Sequence, residues 1–491
     1  MAQSRTGAVL VAAILLLALV ARLAYVDQTS YRAINDAGSY NRLGAMVART
    51  GDYDVGGGPG SAAGGARGAT AYFPPGFPYF LGAVDLIDGH SAGGKTAVAP
   101  ARVAMALLGT VAVALVGLVA LEAFGDSIAL VCMALAALYP VLVELSGTLV
   151  AENLLLVFEL AAIWTALRAC RSGRPFAWIA ATGVLVGLAA LTHENAAVLV
   201  IPLAFAAAAA TRSIRSAARP TGRYGTVGVL SSGAHATRSR RRDAGGRHGT
   251  RSRRRDGGGP RRASPGAAVG VLVAAAVLTI APWTIRNAVE LHHFVAISDE
   301  TGITLAGTYN PASAADTRVP YKWRFFWTIP QDAGLRRHVG RYTEPALSSK
   351  LESQALHYIG AHPLSPLSVA YHNTLRMFEV EGTFAWHASA DAIGVPVGAA
   401  GVGVAAFWVV CLLALAGLMT QAARAAPRWL WAIPVLYALT IVFINVETPR
   451  FREPIDPFLL LLAGCAIEAA LQRLGVFKAI GWQRWRPAFD A

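Results

Sequence analysis

The sequence predicts an all-α membrane protein with about ten transmembrane helices. Of its 491 residues, 55% are hydrophobic and only 15% are charged, whereas soluble globular proteins carry about 25% charged residues. Several apolar runs approach the roughly 20 residues that cross a hydrocarbon core of about 30 Å. These observations exclude an ordinary soluble enzyme and favour a multi-pass membrane protein.

The predicted spans follow one another along the chain, in most cases with short connections. They lie near 7–26, 101–121, 127–147, 150–168, 176–192, 196–210, 267–285, 396–420, 429–446 and 457–472. The first run could alternatively be the apolar core of a signal peptide. Only Arg22 interrupts it before Val26 and no small-residue cleavage site stands out, so we interpret it as a span.

Basic residues predict the orientation of these spans. Short loops rich in Lys and Arg remain in the cytoplasm. With the N-terminus inside, one side of the membrane receives Arg168 to Arg174, the loop 211–263, Arg424 with Arg428, and the C-terminal Arg and Lys residues. We therefore expect a plasma-membrane protein with both termini in the cytoplasm. The four cysteines lie in or beside apolar runs and are not spaced as metal ligands or as a disulfide framework.

This alternation divides the chain into five regions. They are an N-terminal transmembrane module with the first outer loop (1–210), a disordered Arg-rich cytoplasmic loop (211–265), a transmembrane helix (266–286), an extracytoplasmic region (287–395) and a C-terminal transmembrane module (396–491). The outer region would form a small cap, accompanied by juxtamembrane helices.

The Arg-rich loop accounts for nearly all of the net charge of +14, because 15 Arg and two Asp lie between Thr211 and Ala263. Its Gly- and Ser-rich composition predicts disorder. Such a basic segment lies readily against anionic lipids. Its arginine clusters have no interleaved aromatic residues for base stacking, so we expect no nucleic-acid partner.

Asp36 is the principal candidate for chemistry. It lies about ten residues beyond the first predicted span, at the expected outer face of the membrane, and ionisable groups at such a boundary are functional candidates. One interpretation makes Asp36 a general base. The alternative is an N-cap for a helix that begins near Ala37, because Asp is common at that position.

Further polar residues are expected at the same level of the membrane. Glu152, His193 and Glu194 come at the ends of predicted spans and could contact an acceptor or support Asp36. A carboxylate at a helix start also interacts favourably with the helix dipole, so a structural role is the alternative for Glu152. Lone histidines are more often structural than catalytic.

Arg450 and Arg452 lie in a charged turn on the predicted outer side, against the charge bias. Arginine binds phosphate through paired N–H donors, and lipid phosphates lie at this depth. The alternative is a solvated loop with internal Arg–Glu pairs. Tyr72 begins an aromatic and Pro-rich segment that could pack against a sugar or a prenyl chain.

Taken together, these blocks resemble the C-type membrane glycosyltransferases, in particular the family 39 branch of protein O-mannosyltransferases and bacterial aminoarabinose transferases. The resemblance is carried by Asp36 with Tyr40, and by the segments 72–81, 146–152, 281–311 and 450–457. It implies a polyprenyl-phosphate sugar donor, an inverting transfer to a lipid, glycan or protein hydroxyl, and an extracytoplasmic active site. Asp36 matches the acidic residue of the family's first loop.

Three positions depart from the family pattern. Ala37 stands where many relatives have a second acidic residue, Phe73 where some have Lys, and His193 where Arg is frequent. The sugar and any divalent metal therefore remain open, and no other cofactor is expected. In this scheme Asp36 accepts the acceptor's proton, while arginine stabilises the phosphate. A transporter or flippase of lipid-linked sugars is the alternative, although polar residues within the spans are scarce apart from Glu159.

Overall fold

The computed structural model describes residues 2–54, 68–89, 97–217 and 264–476. These residues form helices and connecting segments. Within the described ranges there is no strand, and backbone pairing of the β type is confined to one isolated bridge between Asp54 and Ala69. The prediction of an all-α protein is confirmed.

The N-terminal part of the fold contains nine α-helices. They are α1 (Ala2–Gln28), α2 (Asn35–Thr50), α3 (Gly76–Asp88), α4 (Val98–Phe124), α5 (Asp126–Leu138), α6 (Pro140–Leu145), α7 (Glu152–Arg171), α8 (Pro175–Thr192) and α9 (Val200–Ala217). A 3₁₀ turn over Glu194–Leu199 leads into α9. The first residues of the predicted Arg-rich loop (211–265) belong to α9, and most of the rest of that loop lies outside the described residues.

The C-terminal part adds eleven α-helices, several of them short. They are α10 (Pro265–Leu291), α11 (Thr301–Thr308), α12 (Pro311–Ala314), α13 (Ala333–Arg337), α14 (Glu344–Ala361), α15 (Ser365–Met377), α16 (Thr383–Ile393), α17 (Val397–Leu418), α18 (Gln421–Ala425), α19 (Arg428–Val442) and α20 (Asp456–Arg473). A 3₁₀ turn over Arg450–Arg452 precedes α20.

Seven helical segments among the described residues are long and apolar enough to cross a membrane. They are Thr6–Gln28, Val98–Phe124, Glu152–Arg171, Pro175–Thr192, Glu194–Thr211, Pro265–Glu290 and Val397–Leu418. Each coincides with a predicted span. The three other predicted spans are also helical, but α5 and α19 are shorter and α20 carries three charged residues. Seven of the ten predicted spans are thus long and apolar enough to cross a membrane, and the predicted span 127–147 is divided between α5 and α6.

Glycines allow α8 to pack closely on α10. A Cβ atom added at Gly183 would lie 2.3 Å from the carbonyl oxygen of Leu272, and one at Gly187 would lie 2.9 Å from that of Ala276. Both separations are far shorter than van der Waals contact, so only glycine permits this approach. Small residues at such contacts are typical of helices packed within membranes.

The single charge inside the first span is buried within the helix bundle. Arg22 is 1% exposed, and its guanidinium donates hydrogen bonds to the carbonyl oxygens of Ala18, Ala136 and Ala137 and to the hydroxyl of Ser146. Backbone carbonyls thus replace water around a cation that would otherwise be costly in the membrane. The same contacts fix α1 against the end of α5 and the turn after α6.

Candidate active site

Asp36 projects from the first turn of α2, next to the end of α1. The helix begins at Asn35, and the capping position is occupied by Ile34, which makes no side-chain capping bond. The interpretation of Asp36 as an N-cap is therefore wrong. Its carboxylate instead accepts a hydrogen bond from Nη1 of Arg450 at 2.7 Å, and 39% of the side chain remains exposed.

Arg450 links Asp36 to a second predicted residue. Its Nε donates to Oε1 of Glu152, with 2.5 Å between the two atoms. The side chains of Arg450 and Glu152 are 7% and 1% exposed, so this half of the cluster is shielded from water. A guanidinium between two carboxylates is fixed in direction, and the more accessible carboxylate is that of Asp36.

A cavity of about 110 Å³ lies beside this cluster. Five of the residues predicted from the sequence are in its wall: Asp36, Tyr72, His193, Glu194 and Arg450. Glu152 is not in the wall and supports it through Arg450. Residues from the first loop, the α8–α9 turn and the turn before α20 thus meet at one end of the bundle.

Arg452 does not take part in this site, contrary to the sequence-based expectation. Its guanidinium is buried, donates to Oε1 of Glu379 at 2.9 Å and to Oδ1 of Asp456 at 3.0 Å, and stacks over the ring of Phe407. A further bond goes to the carbonyl oxygen of Met377. Arg452 therefore fastens the turn before α20 to the end of α15 and the residues that follow it, and we assign it no donor contact.

The cavity wall also contains residues that the sequence analysis did not select. Glu300, Trp323 and Asn445 line it. Nε1 of Trp323, Oδ1 of Asn445 and Nδ1 of His193 are buried without a hydrogen-bond partner in the described part of the chain. Nε1 of Trp323 packs against Gly307, which does not line the cavity. Buried polar atoms are seldom left unpaired, so the atoms of Asn445 and His193 beside one cavity suit a ligand with several hydrogen-bonding groups.

The pKa values of two titratable side chains in this wall are shifted in opposite directions. Burial lowers the pKa of His193, although Glu152 opposes that effect, and the imidazole is therefore neutral at neutral pH. Burial raises the pKa of Glu300 well above its ordinary value, and the charges of Glu194 and Asp36 add to the effect. Glu300 consequently retains its proton to a higher pH than an ordinary carboxyl group.

A buried arginine holds the two segments that carry the acidic pair. Arg102 in α4 is 5% exposed. Its Nη1 donates to the carbonyl oxygen of Thr29 at 2.8 Å, and its Nε donates to that of Gly147 at 2.7 Å. The first bond fixes the linker that leads to Asp36, and the second fixes the turn before Glu152. One side chain thus sets the separation of these two segments.

Glu344 holds the segment that carries Tyr72. Its carboxylate accepts hydrogen bonds from Oγ1 of Thr70 at 2.6 Å and from the backbone N–H of Ala71 at 2.7 Å. Burial raises the pKa of Glu344 to about 7, although the two hydrogen bonds oppose this shift. The wall formed by Tyr72 is thereby attached to the first turn of α14.

No group of three or more His, Cys, Asp or Glu side chains is arranged to hold a metal ion within the described ranges. The carboxylates of Asp36 and Glu152 converge on Arg450 instead. These residues do not fit a metal-ligand set.

A family model described as dolichyl-phosphate-mannose-protein mannosyltransferase matches residues 73–231, which is less than half of the chain. No curated protein matches at a significant level. The family match supports the class that the sequence resembles, the C-type membrane glycosyltransferases, and the recognition of this class is confirmed.

Several solved structures of an oligosaccharyltransferase from Archaeoglobus fulgidus are similar. The complex with an inhibitory peptide and a dolichol-phosphate is 13% identical (TM-score 0.47), and the match covers 97% of this chain and 52% of that chain. The apo form is 15% identical (TM-score 0.47; 97% and 52%). The form tethered to an acceptor peptide with the NVT sequon is 14% identical (TM-score 0.48; 97% and 51%). The chain spans about half the length of these proteins.

Proposed function

We propose that the protein is an inverting glycosyltransferase that moves a sugar from a polyprenyl-phosphate donor to a hydroxyl acceptor on the extracytoplasmic face of the membrane. The observation that carries this proposal is the position of Arg450, which contacts Asp36 and Glu152 at the wall of the cavity. A cation suited to phosphate and a carboxylate suited to a hydroxyl proton are thereby side by side.

Arg450 binds the donor phosphate in this proposal. A guanidinium has five N–H donors, and the bonds to Asp36 and Glu152 occupy Nε and Nη1. Other donors of the same planar group are then available for a phosphate oxygen. The arginine charge offsets the negative charge that the phosphate gains as it departs.

Asp36 acts as the general base. The acceptor oxygen attacks C1 of the donor sugar from the face opposite the phosphate, and its proton passes to the carboxylate of Asp36. The new C1–O bond forms as the bond from C1 to the phosphate oxygen breaks, and the phosphate keeps the electron pair. Attack from the opposite face inverts the configuration at C1. A positioned base contributes about 10²–10⁴-fold to such a step.

The remaining residues of the site orient the substrates. Tyr72 provides an apolar wall with a polar edge, and aromatic rings pack well against sugar rings and prenyl chains. Neutral His193 and the carboxylate of Glu194 face the same cavity and offer hydrogen bonds to hydroxyl groups. Glu152 keeps the guanidinium of Arg450 in place from behind. The acceptor is a hydroxyl of a lipid, a glycan or a protein.

The proposal is tested with the purified full-length chain in lipid nanodiscs. We would incubate it with a panel of radiolabelled polyprenyl-phosphate sugars and with membrane extracts as the acceptor source. The proposal expects loss of the label from one donor, release of polyprenyl phosphate, and a product whose anomeric configuration by NMR is opposite to that of the donor. Retention of configuration contradicts the inverting course. Donor binding without any transfer contradicts the enzyme and favours the transporter or flippase alternative.

A further inference from the structure

Glu300 occupies a distinctive position in the cavity wall. It lies immediately before α11, beyond the end of the span in α10, and it faces the same cavity as Asp36 and Arg450. No hydrogen bond joins its carboxyl group to a protein donor within the described ranges. The side chain is partly buried, so it also has limited access to bulk water.

The neighbouring carboxylates differ from Glu300 in this respect. Asp36 is held by Arg450, and Glu194 accepts a hydrogen bond from the hydroxyl of Ser298. The carboxyl group of Glu300 is partly exposed to the cavity and is therefore free to bond to a ligand that displaces water there. Its environment also favours the protonated form, and a protonated carboxyl group donates one hydrogen bond and accepts others.

Two further groups of the same wall point to a polyhydroxylated ligand. Nδ1 of His193 is a buried ring nitrogen without a partner, and Oδ1 of Asn445 is a buried acceptor without a partner, among the residues that the structure describes. A sugar hydroxyl donates one hydrogen bond and accepts others, so adjacent hydroxyls on one ring satisfy both kinds of group. The phosphate of a polyprenyl-phosphate sugar lacks this pattern, because its oxygens accept hydrogen bonds but cannot donate one to the amide oxygen of Asn445.

We propose that Glu300 is a sugar-binding residue that fixes a ring hydroxyl in the cavity and thereby determines which sugars are accepted. This inference rests on the proposed function and deepens it. The bound hydroxyl belongs to the sugar of the donor or to a sugar that serves as the acceptor, and the two sources share the same chemistry. Asp36 remains the base, while Glu300 positions the ring beside it.

The test uses two variants of the full-length chain and three probes. Glu300→Ala removes the carboxyl group, whereas Glu300→Gln retains one acceptor and one donor in nearly the same volume. The probes are polyprenyl-phosphate mannose, polyprenyl phosphate without a sugar, and methyl mannoside, which carries hydroxyls but no phosphate. Glu352→Gln is the matched control, because Glu352 is exposed on α14 and does not line the cavity.

We expect Glu300→Ala to weaken binding of one sugar-bearing probe by about 10-fold or more, as the loss of a hydrogen bond to a charged or strongly polar group predicts. Binding of polyprenyl phosphate should remain within about twofold of the wild-type value, and Glu300→Gln should recover most of the loss. Weaker polyprenyl-phosphate mannose binding identifies the donor sugar as the source. Weaker methyl mannoside binding alone identifies the acceptor.

Three results would overturn the inference. For Glu300→Ala, they are an unchanged affinity for both sugar-bearing probes, an equal loss of affinity for all three probes, and a large fall in kcat with unchanged affinities. The last would place Glu300 in the chemical step. Because binding is measured without turnover, failure of the proposed function is distinguishable: a protein that binds these probes but transfers no sugar contradicts the enzyme and still reports on Glu300.

Discussion

Arg450 donates a hydrogen bond to the carboxylate of Asp36 at 2.7 Å, although 414 positions separate the two residues in the sequence. The contact joins the start of α2 to the turn before α20, and Nε of the same guanidinium reaches Glu152 at the start of α7. Three distant segments thus converge on one cation. This ion cluster is the centre of the proposed site.

Arg450→Lys should weaken donor binding in the protein that remains folded, because a buried ion pair with Glu152 is impaired as well. Lysine keeps the charge but cannot contact two carboxylates and a phosphate at once in the planar geometry of a guanidinium. We expect the KM for a polyprenyl-phosphate sugar to rise by about 10-fold or more, since charge-assisted bidentate contacts are among the stronger hydrogen bonds. Steady-state kinetics with increasing donor concentration measures the change, and an unaltered KM would contradict the phosphate assignment.

Arg452→Lys provides the contrasting case. This arginine is buried between Glu379 and Asp456 and does not reach the cavity. Impairing a buried ion pair is costly, by about 3–5 kcal/mol when one partner is lost entirely. We expect a lower midpoint of thermal unfolding in detergent, with the donor KM of the remaining folded protein unchanged. A raised donor KM at normal stability would return Arg452 to the substrate site.

Glu344 should make stability depend on pH. Its pKa is raised to about 7 in the folded protein, whereas an unfolded Glu titrates near 4.5, so the folded state binds more protons between these values. Its stabilising contribution is present below about pH 4.5 and is lost as the pH rises through about 7, by up to about 3 kcal/mol. Thermal unfolding of Glu344→Gln should lack this fall, because the amide stays neutral. If the stability of both proteins falls in parallel as the pH rises, the raised pKa of Glu344 is refuted.

The orientation of the bundle can be tested by cysteine labelling. Ser353 on α14 and Gly173 between α7 and α8 are both exposed, and the basic-loop pattern places them on opposite sides of the membrane. In a background without the four native cysteines, Ser353→Cys should react with an impermeant thiol reagent in intact cells. Gly173→Cys should react only after lysis. Reversed labelling would place the cavity on the cytoplasmic side.

The spans could be predicted from the sequence because long apolar runs leave little alternative to a membrane helix. The segments α11 to α16 could not be delimited in this way. They are short, they mix polar and aromatic residues, and several depend on contacts with distant parts of the chain, such as the bond between Asn373 in α15 and the carbonyl oxygen of Val442 in α19. The local pattern therefore indicated the region 287–395 but not the helices within it.

The sequence also predicted the site residues only in part. Asp36, Tyr72, His193, Glu194 and Arg450 were identified from their place relative to the spans, and they share one cavity. Arg452 was misassigned because it lies two residues from Arg450 in a 3₁₀ turn, where a residue occupies about one third of a turn. The two side chains therefore diverge.

Glu300 and Trp323 were missed because their approach to the cavity depends on how the segments between α10 and α17 pack. For example, a Cβ atom at Gly307 would lie 2.3 Å from Nε1 of Trp323. The position of Glu300 within the family-like segment 281–311 was the one available indication in the sequence.

The most direct test of the account is the turnover of Asp36→Asn with a labelled polyprenyl-phosphate sugar that the wild-type protein uses. Asn keeps the size of the side chain but cannot take the acceptor's proton, so turnover should fall by about 10²-fold or more. The pair with Arg450 is partly exposed, and its loss should change the free energy of unfolding by less than about 1 kcal/mol. Donor affinity, measured by direct binding, should be retained. Near-normal turnover of the folded variant would contradict the assignment of Asp36 as the base.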